Sequence, residues 1–327
     1  MVQVGNLDIS PPLINASCAW ASDLKQLQAL FDSPYTGAVT TRTSTLGGFA
    51  EDASHTVAFA SSSTTSINSY GYSPHKLSQY LTWIESIILN APSTSKLKPF
   101  LISITASTAD SMQETVSAIQ TLRAKSPALS SRIGIEFNTS CPNIRGSAPA
   151  GYAIAELASV LSVLADAWRA DPSLTIGLKL PPYVHGGQFA GVLDALRGYS
   201  DAQGRNPIAY FACTNTLGNA LLFAEQVGET GTGEGEGEAF AVPTALGGVA
   251  GDALHPLALG NVLSFARLLE VEGPVSGLRN IVLVGIGGVT SPEAAARMRK
   301  AGAAVVGSAT LFGKEGVHAF KILSGER

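Results

Sequence analysis

Short apolar segments alternate with amphipathic segments along almost the whole chain. The apolar segments read PLINA, GAVTT, PFLISI, RIGIEF, TIGLKL, IAYFAC, NIVLVG and AAVVGSA, and a stretch of helical periodicity follows each, directly or after a loop. Continuous apolar strands separated by helices are typical of a parallel sheet whose outer face is covered. Eight such units predict an α/β fold, a closed (β/α)8 TIM barrel.

The main alternative architecture is a doubly wound open sheet. A G-x-G-x-x-G turn after the first strand would favour it, and the sequence has none there. The chain has 327 residues, of which 45% are hydrophobic, and this is enough for one large core. We therefore expect residues 1–327 to form a single barrel domain.

Two loops are longer than ordinary connections. Residues 42–73 are predicted to form a small strand excursion at the C-terminal mouth of the barrel. Residues 224–252 contain the acidic, glycine-rich run GETGTGEGEGE, which predicts a solvated loop tip. Long loops in a compact domain commonly serve as lids or binding loops, so both are expected to be insertions at the mouth.

Composition excludes several classes of function. A formal net charge of −4 gives no electrostatic basis for binding nucleic acid or an anionic membrane. Three cysteines without a C-x-x-C pair, and five histidines without H-E-x-x-H spacing, predict neither a disulfide framework nor a metal site. The N-terminus does not read as a signal peptide, and no apolar run reaches the roughly 20 residues of a membrane span, so a soluble, cytoplasmic protein is expected.

Polar residues cluster where the predicted strands end, which is where barrel enzymes carry their active sites. They include Asn138, Asn143, Asn215 and Thr216, and the loop at residues 42–73 adds Asn68. A single loop asparagine usually stabilises a turn. Several at one rim, with almost no acids, suit a planar ligand with alternating N–H and C=O groups, such as a pyrimidine.

Lys179 lies within an apolar strand and should point inward. A buried ammonium is costly unless it faces negative charge. A reduced flavin, with charge at N1 and the C2 carbonyl, would supply that charge. A Schiff-base lysine and a buried ion pair are the alternatives.

Glycines follow the last two predicted strands, in GIGG (285–288) and at Gly307, next to Ser308. Loops at this position of a barrel commonly hold a phosphate group. Gly247 and Gly248 could add further backbone amides. FMN would satisfy a phosphate site of this kind.

Cys141 lies in a loop, against Pro142, directly after the fourth predicted strand. A free cysteine is most often a small buried hydrophobe. A thiolate at a predicted rim could instead act as a nucleophile or a general base. No histidine lies near it in the sequence, which favours the base.

The segments INAS, SINSYG, NTSCPN, GLKLPPY, TNTLGN, VGIGG and VGSATLFGKEG together resemble the class 1A dihydroorotate dehydrogenases, the soluble, fumarate-dependent branch of that family. The resemblance covers nearly the whole chain. It implies an FMN-containing homodimeric barrel that oxidises (S)-dihydroorotate to orotate in pyrimidine biosynthesis. Fumarate would reoxidise the flavin and leave as succinate.

The resemblance also implies a role for individual residues. Cys141 would remove the C5 proton of dihydroorotate while the C6 hydride passes to flavin N5. The substrate would be held by Asn68, Asn138, Asn143, Asn215, Thr216 and Arg42. FMN would be held by Ala16, Ser17, Arg42, Asn138, Lys179, Gly247, Gly248, Gly287, Gly288, Gly307 and Ser308.

One motif departs from the family pattern. The family carries a lysine in a TKS motif after the second strand, whereas this chain reads TRTSTLGG with Arg42 at that position. Arginine keeps the charge but is a planar, bulkier group. This leaves open a related FMN enzyme with another pyrimidine substrate, a flavin-free barrel, or a non-catalytic barrel.

Overall fold

The computed structural model describes residues 1–92, 97–140, 149–227 and 239–326, with the backbone alone for 272–276. Its strands are β1 (Val2–Val4), β2 (Leu7–Ile9), β3 (Leu13–Asn15), β4 (Val39–Thr40), β5 (Val57–Phe59), β6 (Thr65–Asn68), β7 (Phe100–Ile104), β8 (Ile133–Asn138), β9 (Ile176–Leu180), β10 (Ile208–Cys213), β11 (Leu217–Leu221), β12 (Leu246–Gly251), β13 (Val282–Ile286) and β14 (Val305–Ser308). Its α-helices are α1 (Leu24–Asp32), α2 (Leu77–Asn90), α3 (Ala109–Arg123), α4 (Pro127–Ser130), α5 (Ala158–Ala170), α6 (Gly186–Arg197), α7 (His255–Ser276), α8 (Pro292–Lys300), α9 (Thr310–Glu315) and α10 (His318–Ser324).

Eight strands form one parallel sheet in the order β3-β14-β13-β10-β9-β8-β7-β4. The two ends of this sheet meet through a parallel bridge between Ile14 and Ala38, so the sheet closes on itself. All eight strands lie within the apolar segments identified in the sequence, extended by one residue in some cases. The predicted (β/α)8 barrel is confirmed.

The apolar side chains of the barrel form two layers, and a small third cluster around Ala58, Ile67 and Val242 lies in and beside an antiparallel sheet at the mouth. One layer fills the space between the strands and the surrounding helices, and it includes Ile102, Ile135 and Leu178. The other lies inside the barrel and includes Ile14, Leu101 and Tyr210 together with side chains of β1 and β2. Burial on both sides explains why the strands read as continuous apolar runs rather than as alternating patterns.

The hairpin β1–β2 was not predicted from the sequence. It closes the N-terminal end of the barrel, where the Asn6 amide donates to the Thr175 hydroxyl at 2.9 Å. Two three-residue strands are too short to give a clear period-2 signal. The turn is made possible by Gly5, whose φ of +56° is the left-handed conformation that glycine adopts easily.

A second, antiparallel sheet lies at the opposite end, in the order β11-β12-β6-β5. The expected strand excursion in residues 42–73 is confirmed as β5 and β6. The second long loop contributes β12, which pairs with β6 and places Gly248 opposite Asn68. The acidic run at 228–238 lies outside the described residues.

The sequence pattern of LFGKEGVHAFKIL (311–323) predicts one final helix, and this prediction is wrong because the segment is divided into α9 and α10. Gly316 separates them with φ of 59° and ψ of −155°, which is not a helical conformation. Within the described residues, one helical stretch, Ala150–Ala170, is long and apolar enough to cross a membrane by length and composition alone. Its apolar side chains Leu161, Leu164 and Trp168 pack into the core around the barrel, as expected for an outer-layer helix.

Asn15, the last residue of β3, helps to close the barrel through hydrogen bonds of its side chain. Its side chain is fully buried, donates to the Thr40 carbonyl at 2.6 Å and accepts from the Thr40 amide at 2.9 Å. The side chain therefore replaces a missing rung between the first and second barrel strands. Its sequence position at the end of the first barrel strand has a structural explanation.

Replacing Asn15 by alanine should lower the free energy of unfolding by about 1 to 2 kcal/mol, because two buried backbone groups of Thr40 lose their partners. Chemical denaturation of the purified protein measures this change. Asn90→Ala is the matched control, since Asn90 is exposed and its amide contacts only Ser86 among the described residues. Equal effects of both substitutions would contradict the closing role.

Candidate active site

A cavity opens at the C-terminal mouth of the barrel, between the strand ends and the antiparallel sheet. It encloses about 970 Å³ of empty space, counting the part open to solvent, which is within the range of ligand pockets, roughly 300–1,000 Å³. Twelve residues predicted to bind substrate or cofactor line it: Ala16, Ser17, Arg42, Asn68, Asn138, Lys179, Asn215, Thr216, Gly287, Gly288, Gly307 and Ser308. Cys141 and Asn143 lie outside the described residues.

Two carboxamides, one at the end of β8 and one just after β10, are joined directly across the end of β9, which lies between these strands. The Asn215 side chain donates to the Asn138 side-chain oxygen at 3.1 Å and to the carbonyl of Ser140. Asn138 in turn donates to the hydroxyl of Thr43 at 3.0 Å. Because each side chain holds the other, the polar groups that face the cavity are fixed before any ligand arrives.

Lys179, the second-last residue of β9, lines the cavity from the end of that strand. Its side chain is 6% exposed, and its ammonium donates to the backbone carbonyl of Ser17 at 3.2 Å. Ser17 also lies 3.2 Å from the Thr43 hydroxyl, so the lysine and the asparagine network share one wall. The arrangement places a cation against a wall of polar groups that a planar ligand could contact.

Glu136 lies one layer deeper in the barrel and was not predicted from the sequence. It is 1% exposed, one of its oxygens accepts from the Tyr210 hydroxyl at 3.4 Å, and the other has no hydrogen-bond partner within the described part of the chain. Burial raises the pKa of the Glu136 carboxyl, while Lys179 and the Tyr210 hydroxyl oppose this increase. The carboxyl therefore retains its proton to higher pH than an exposed glutamate.

This raised pKa makes the stability of the chain depend on pH. Above the ordinary glutamate pKa of about 4.3, the unfolded chain releases a proton that the folded chain still holds, so Glu136 costs stability as pH rises. Glu136→Gln has no such proton. Its free energy of unfolding relative to the native chain should therefore increase from pH 4 upward and level off above the folded pKa.

Denaturation at a series of pH values measures this difference. Glu85→Gln is the control, because Glu85 pairs with Lys125 at the surface. A difference between Glu136→Gln and the native chain that stays constant with pH would contradict the raised pKa.

Arg42 is held by the protein itself. Its guanidinium donates to both carboxylate oxygens of Glu51, to the Gly71 carbonyl at 3.3 Å, and lies over the Tyr70 ring at 5.1 Å from the centroid. The Arg42 side chain is 7% exposed and that of Glu51 is 24% exposed. Arg42 lines the cavity, but its charge is already paired.

The far end of the cavity is formed by the loops after the last two barrel strands. Gly287 and Gly288 have φ of +123° and +65°, conformations that side chains rarely adopt. A Cβ on Gly288 would also lie 2.4 Å from the Cβ of His255. These glycines thus allow the loop to turn tightly against α7, and the loop continues along the cavity as Val289 and Thr290.

Gly247 and Gly248 do not line the cavity, whereas Ala250 and Gly251 of the same strand do. The Gly248 carbonyl accepts from the Asn68 side chain at 3.1 Å, and a Cβ on Gly247 would lie 2.5 Å from the Asn68 carbonyl. Their contacts position Asn68. A contact of either glycine with a cofactor stays a prediction.

The comparisons with known proteins agree with this geometry. A family model described as dihydroorotate dehydrogenase matches residues 1–326. The chain belongs to the dihydroorotate dehydrogenase family. The resemblance identified in the sequence is therefore confirmed at the level of the family.

Curated relatives in this family are similar over nearly their whole length. A dihydroorotate dehydrogenase (fumarate) of Lachancea kluyveri is 27% identical over 319 residues, which cover 96% of this chain and 88% of the relative. A Streptococcus pneumoniae serotype 4 protein named for dihydroorotate dehydrogenase A (fumarate) is 26% identical, covering 99% and 90%. A DHODH of Eimeria tenella, solved with ferulenol, superposes with a TM-score of 0.70 at 14% identity, covering 96% of this chain and 80% of that one, and supports the fold alone.

Cys18 and Tyr70 are among the cavity residues that the sequence analysis missed. Cys18 follows Ser17 at the predicted rim, and burial raises the pKa of its thiol to about 12, against the opposing effects of Lys179 and Arg42. Its position after the predicted rim residues could have identified it. Tyr70, whose ring lies beneath the guanidinium of Arg42, is in a long loop whose path no local pattern predicts.

Proposed function

We propose that this member of the dihydroorotate dehydrogenase family oxidises (S)-dihydroorotate to orotate with bound FMN, as a step of pyrimidine biosynthesis. The observation that carries the proposal is one cavity in which a pair of linked carboxamides, a buried lysine and the loops after the last two barrel strands converge. No residue that lines this cavity in the described part of the chain is an Asp or Glu, while two are cationic.

These residues fit FMN. The phosphate would lie against the loops that carry Gly287, Gly288, Gly307 and Ser308, the usual phosphate position of the fold. Lys179 would face the N1 side of the flavin, and Ala16 and Ser17 would support its ring. When bound, FMN supplies the acceptor for the hydride from C6 of dihydroorotate.

The carboxamides would orient the pyrimidine ring. Asn68, Asn138 and Asn215 offer both donors and acceptors, which a ring of alternating N–H and C=O groups requires. A side chain already fixed by its neighbours loses little conformational freedom on binding. The family assigns a further asparagine, Asn143, and Thr216 to the same task.

Cys141 would be the general base that removes the C5 proton. It follows Ser140 directly, and the backbone of Ser140 is bonded to both Asn138 and Asn215. The residue directly before the cysteine therefore belongs to the carboxamide network. This supports a position of the thiol beside the ring that these side chains would hold.

A second substrate is favoured by one observation. Arg42 is neutralised by Glu51, so the cavity wall offers less positive charge than its composition suggests. A dihydropyrimidine without a carboxylate, such as dihydrouracil, would lose nothing from this pairing. It is the alternative to dihydroorotate in the experiment below.

Fumarate is proposed as the electron acceptor, reduced to succinate, because the relatives compared above carry fumarate in their names. A homodimer in the cytoplasm is proposed from the same resemblance. Four exposed apolar side chains lie together where β11 pairs with β12 and in the adjoining bridge, and they support an association surface: Leu221, Leu246, Phe223 and Phe240.

Turnover of the purified protein tests the proposal. With FMN, dihydroorotate and fumarate, orotate should accumulate. Its ultraviolet absorbance measures this accumulation. Dihydrouracil in place of dihydroorotate, and NAD⁺ in place of fumarate, are the comparison reactions. If dihydrouracil is turned over faster than dihydroorotate, dihydrouracil replaces dihydroorotate as the proposed substrate. If the flavin-loaded protein turns over neither compound, the proposal is overturned.

A further inference from the structure

Glu51 lies in the long loop between β4 and β5, and neither the sequence pattern nor the proposed reaction assigns it a role. Within the described residues, Glu51 does not line the cavity itself and contacts a lining residue through its pair with Arg42. Its carboxylate accepts from both terminal nitrogens of the guanidinium, in the two-pronged geometry typical of strong Arg–carboxylate pairs. The rest of the Arg42 head group contacts the Gly71 carbonyl and the Tyr70 ring.

This pairing changes what a ligand meets in the cavity. Arg42 and Lys179 are the two cationic residues among the described lining residues. A ligand carboxylate that approaches Arg42 must either displace Glu51 or accept the repulsion of a second carboxylate nearby. A neutral ring faces neither cost, because a paired guanidinium and carboxylate together carry no net charge.

We propose that Glu51 is a specificity-determining residue that competes with a ligand carboxylate for Arg42 and so weakens the binding of anionic pyrimidines relative to neutral ones. The proposal rests on the proposed function, since it concerns the same pyrimidine site. It deepens that function by stating which part of the substrate this chain discriminates. Glu51 acts through Arg42 and is not a catalytic residue.

The geometry supports competition rather than a purely structural pair. The Glu51 side chain is 24% exposed, so solvent can take up its carboxylate when a ligand carboxylate replaces it on the buried guanidinium of Arg42. The Arg42 side chain is 7% exposed, so its charge is directed toward the protein and the cavity. Removing the negative charge of Glu51 should therefore leave Arg42 in place and available to an anion.

Isothermal titration of the FMN-loaded protein with orotate and with uracil, at one pH and one ionic strength, tests this. Orotate carries the carboxylate and uracil lacks it. Glu51→Gln and Glu51→Ala should each raise the ratio of orotate affinity to uracil affinity by at least about tenfold, the effect of one unit charge several ångströms away in a partly shielded pocket. The alanine variant is included because the glutamine amide could still accept a hydrogen bond from the guanidinium of Arg42, whereas alanine cannot.

Asp52→Asn is the matched control. It removes one negative charge from the adjacent residue, but Asp52 is 72% exposed and pairs with His55 instead. Its affinity ratio should change by less than about twofold, because an exposed charge is screened by solvent and salt.

The outcomes separate this proposal from the proposed function. If native protein binds orotate but neither Glu51 variant changes the ratio, or Asp52→Asn changes it equally, the role of Glu51 is overturned and the function stands. If the Glu51 variants bind orotate and the native chain does not, the role of Glu51 is supported and dihydroorotate is the wrong substrate. If no folded, flavin-loaded variant binds orotate, both proposals fail.

Discussion

Replacing Cys141 by serine should slow the reduction of bound FMN by dihydroorotate by about 10²- to 10⁴-fold, the usual contribution of a general base. A thiol ionises near pH 8.5, whereas a serine hydroxyl is a far weaker acid and is almost never ionised at neutral pH. FMN should remain bound, because the predicted phosphate and ring contacts come from other residues. Rapid mixing under anaerobic conditions, followed by flavin absorbance, measures the rate.

Cys213→Ala is the control for this substitution. Cys213 is fully buried at the end of β10, and burial raises the pKa of its thiol well above the ordinary value. A thiol of this kind packs as a hydrophobe, so its loss should leave the rate of flavin reduction within a few-fold of native. A Cys141→Ser variant that reduces its flavin at the native rate would remove Cys141 from the mechanism.

Replacing Lys179 by methionine should lower the reduction potential of bound FMN by roughly 30 to 65 mV. A hydrogen bond to a charged group contributes about 1.5 to 3 kcal/mol, and about 30 mV corresponds to 1.4 kcal/mol for a two-electron couple. The ammonium favours the reduced flavin, which is the more negative form, so its loss destabilises that form. Methionine keeps an apolar stem of similar length in the buried position.

Spectroelectrochemical titration of the flavin-loaded protein measures this potential without relying on turnover. Lys125→Met is the matched control. Lys125 pairs with Glu85 at the surface, so this substitution should leave the reduction potential of FMN unchanged. An unaltered potential in Lys179→Met, with FMN still bound, would show that Lys179 does not face the flavin.

The barrel could be predicted from the sequence because each strand is buried on both sides. RIGIEF and TIGLKL are largely apolar runs, their strands are buried along their whole length, and a parallel sheet covered by helices buries such runs in this way. The hairpin β1–β2 and the break at Gly316 could not be predicted in this way. The first consists of strands too short for periodicity, and the second depends on the dihedral angles of one glycine.

The cavity residues that could be predicted from the sequence are those whose place in the cavity follows directly from their position on a barrel strand. Lys179, Asn138 and Asn215 lie at or near strand ends, so their convergence follows from the barrel itself. Glu51 depends instead on how a long loop folds back over Arg42, which no local signal encodes. Glu136 was visible as an acid within an apolar strand, but its meaning depends on the neighbours Tyr210 and Lys179.

Gly247 and Gly248 show a related limit. Paired glycines suggest close approach, but the sequence does not say what approaches. In the structure the near neighbour is the backbone of Asn68, through strand pairing between β12 and β6. Pattern alone cannot distinguish a contact with a ligand from a contact with a neighbouring strand.

Anaerobic mixing of the flavin-loaded protein with dihydroorotate, in a single turnover, is the most direct measurement of the central claim that this cavity brings FMN and a dihydropyrimidine together for hydride transfer. We expect the visible absorbance of the flavin to be lost and one orotate to form for each FMN. A flavin that stays oxidised in the presence of saturating dihydroorotate, or a protein that binds no FMN at all, would contradict it.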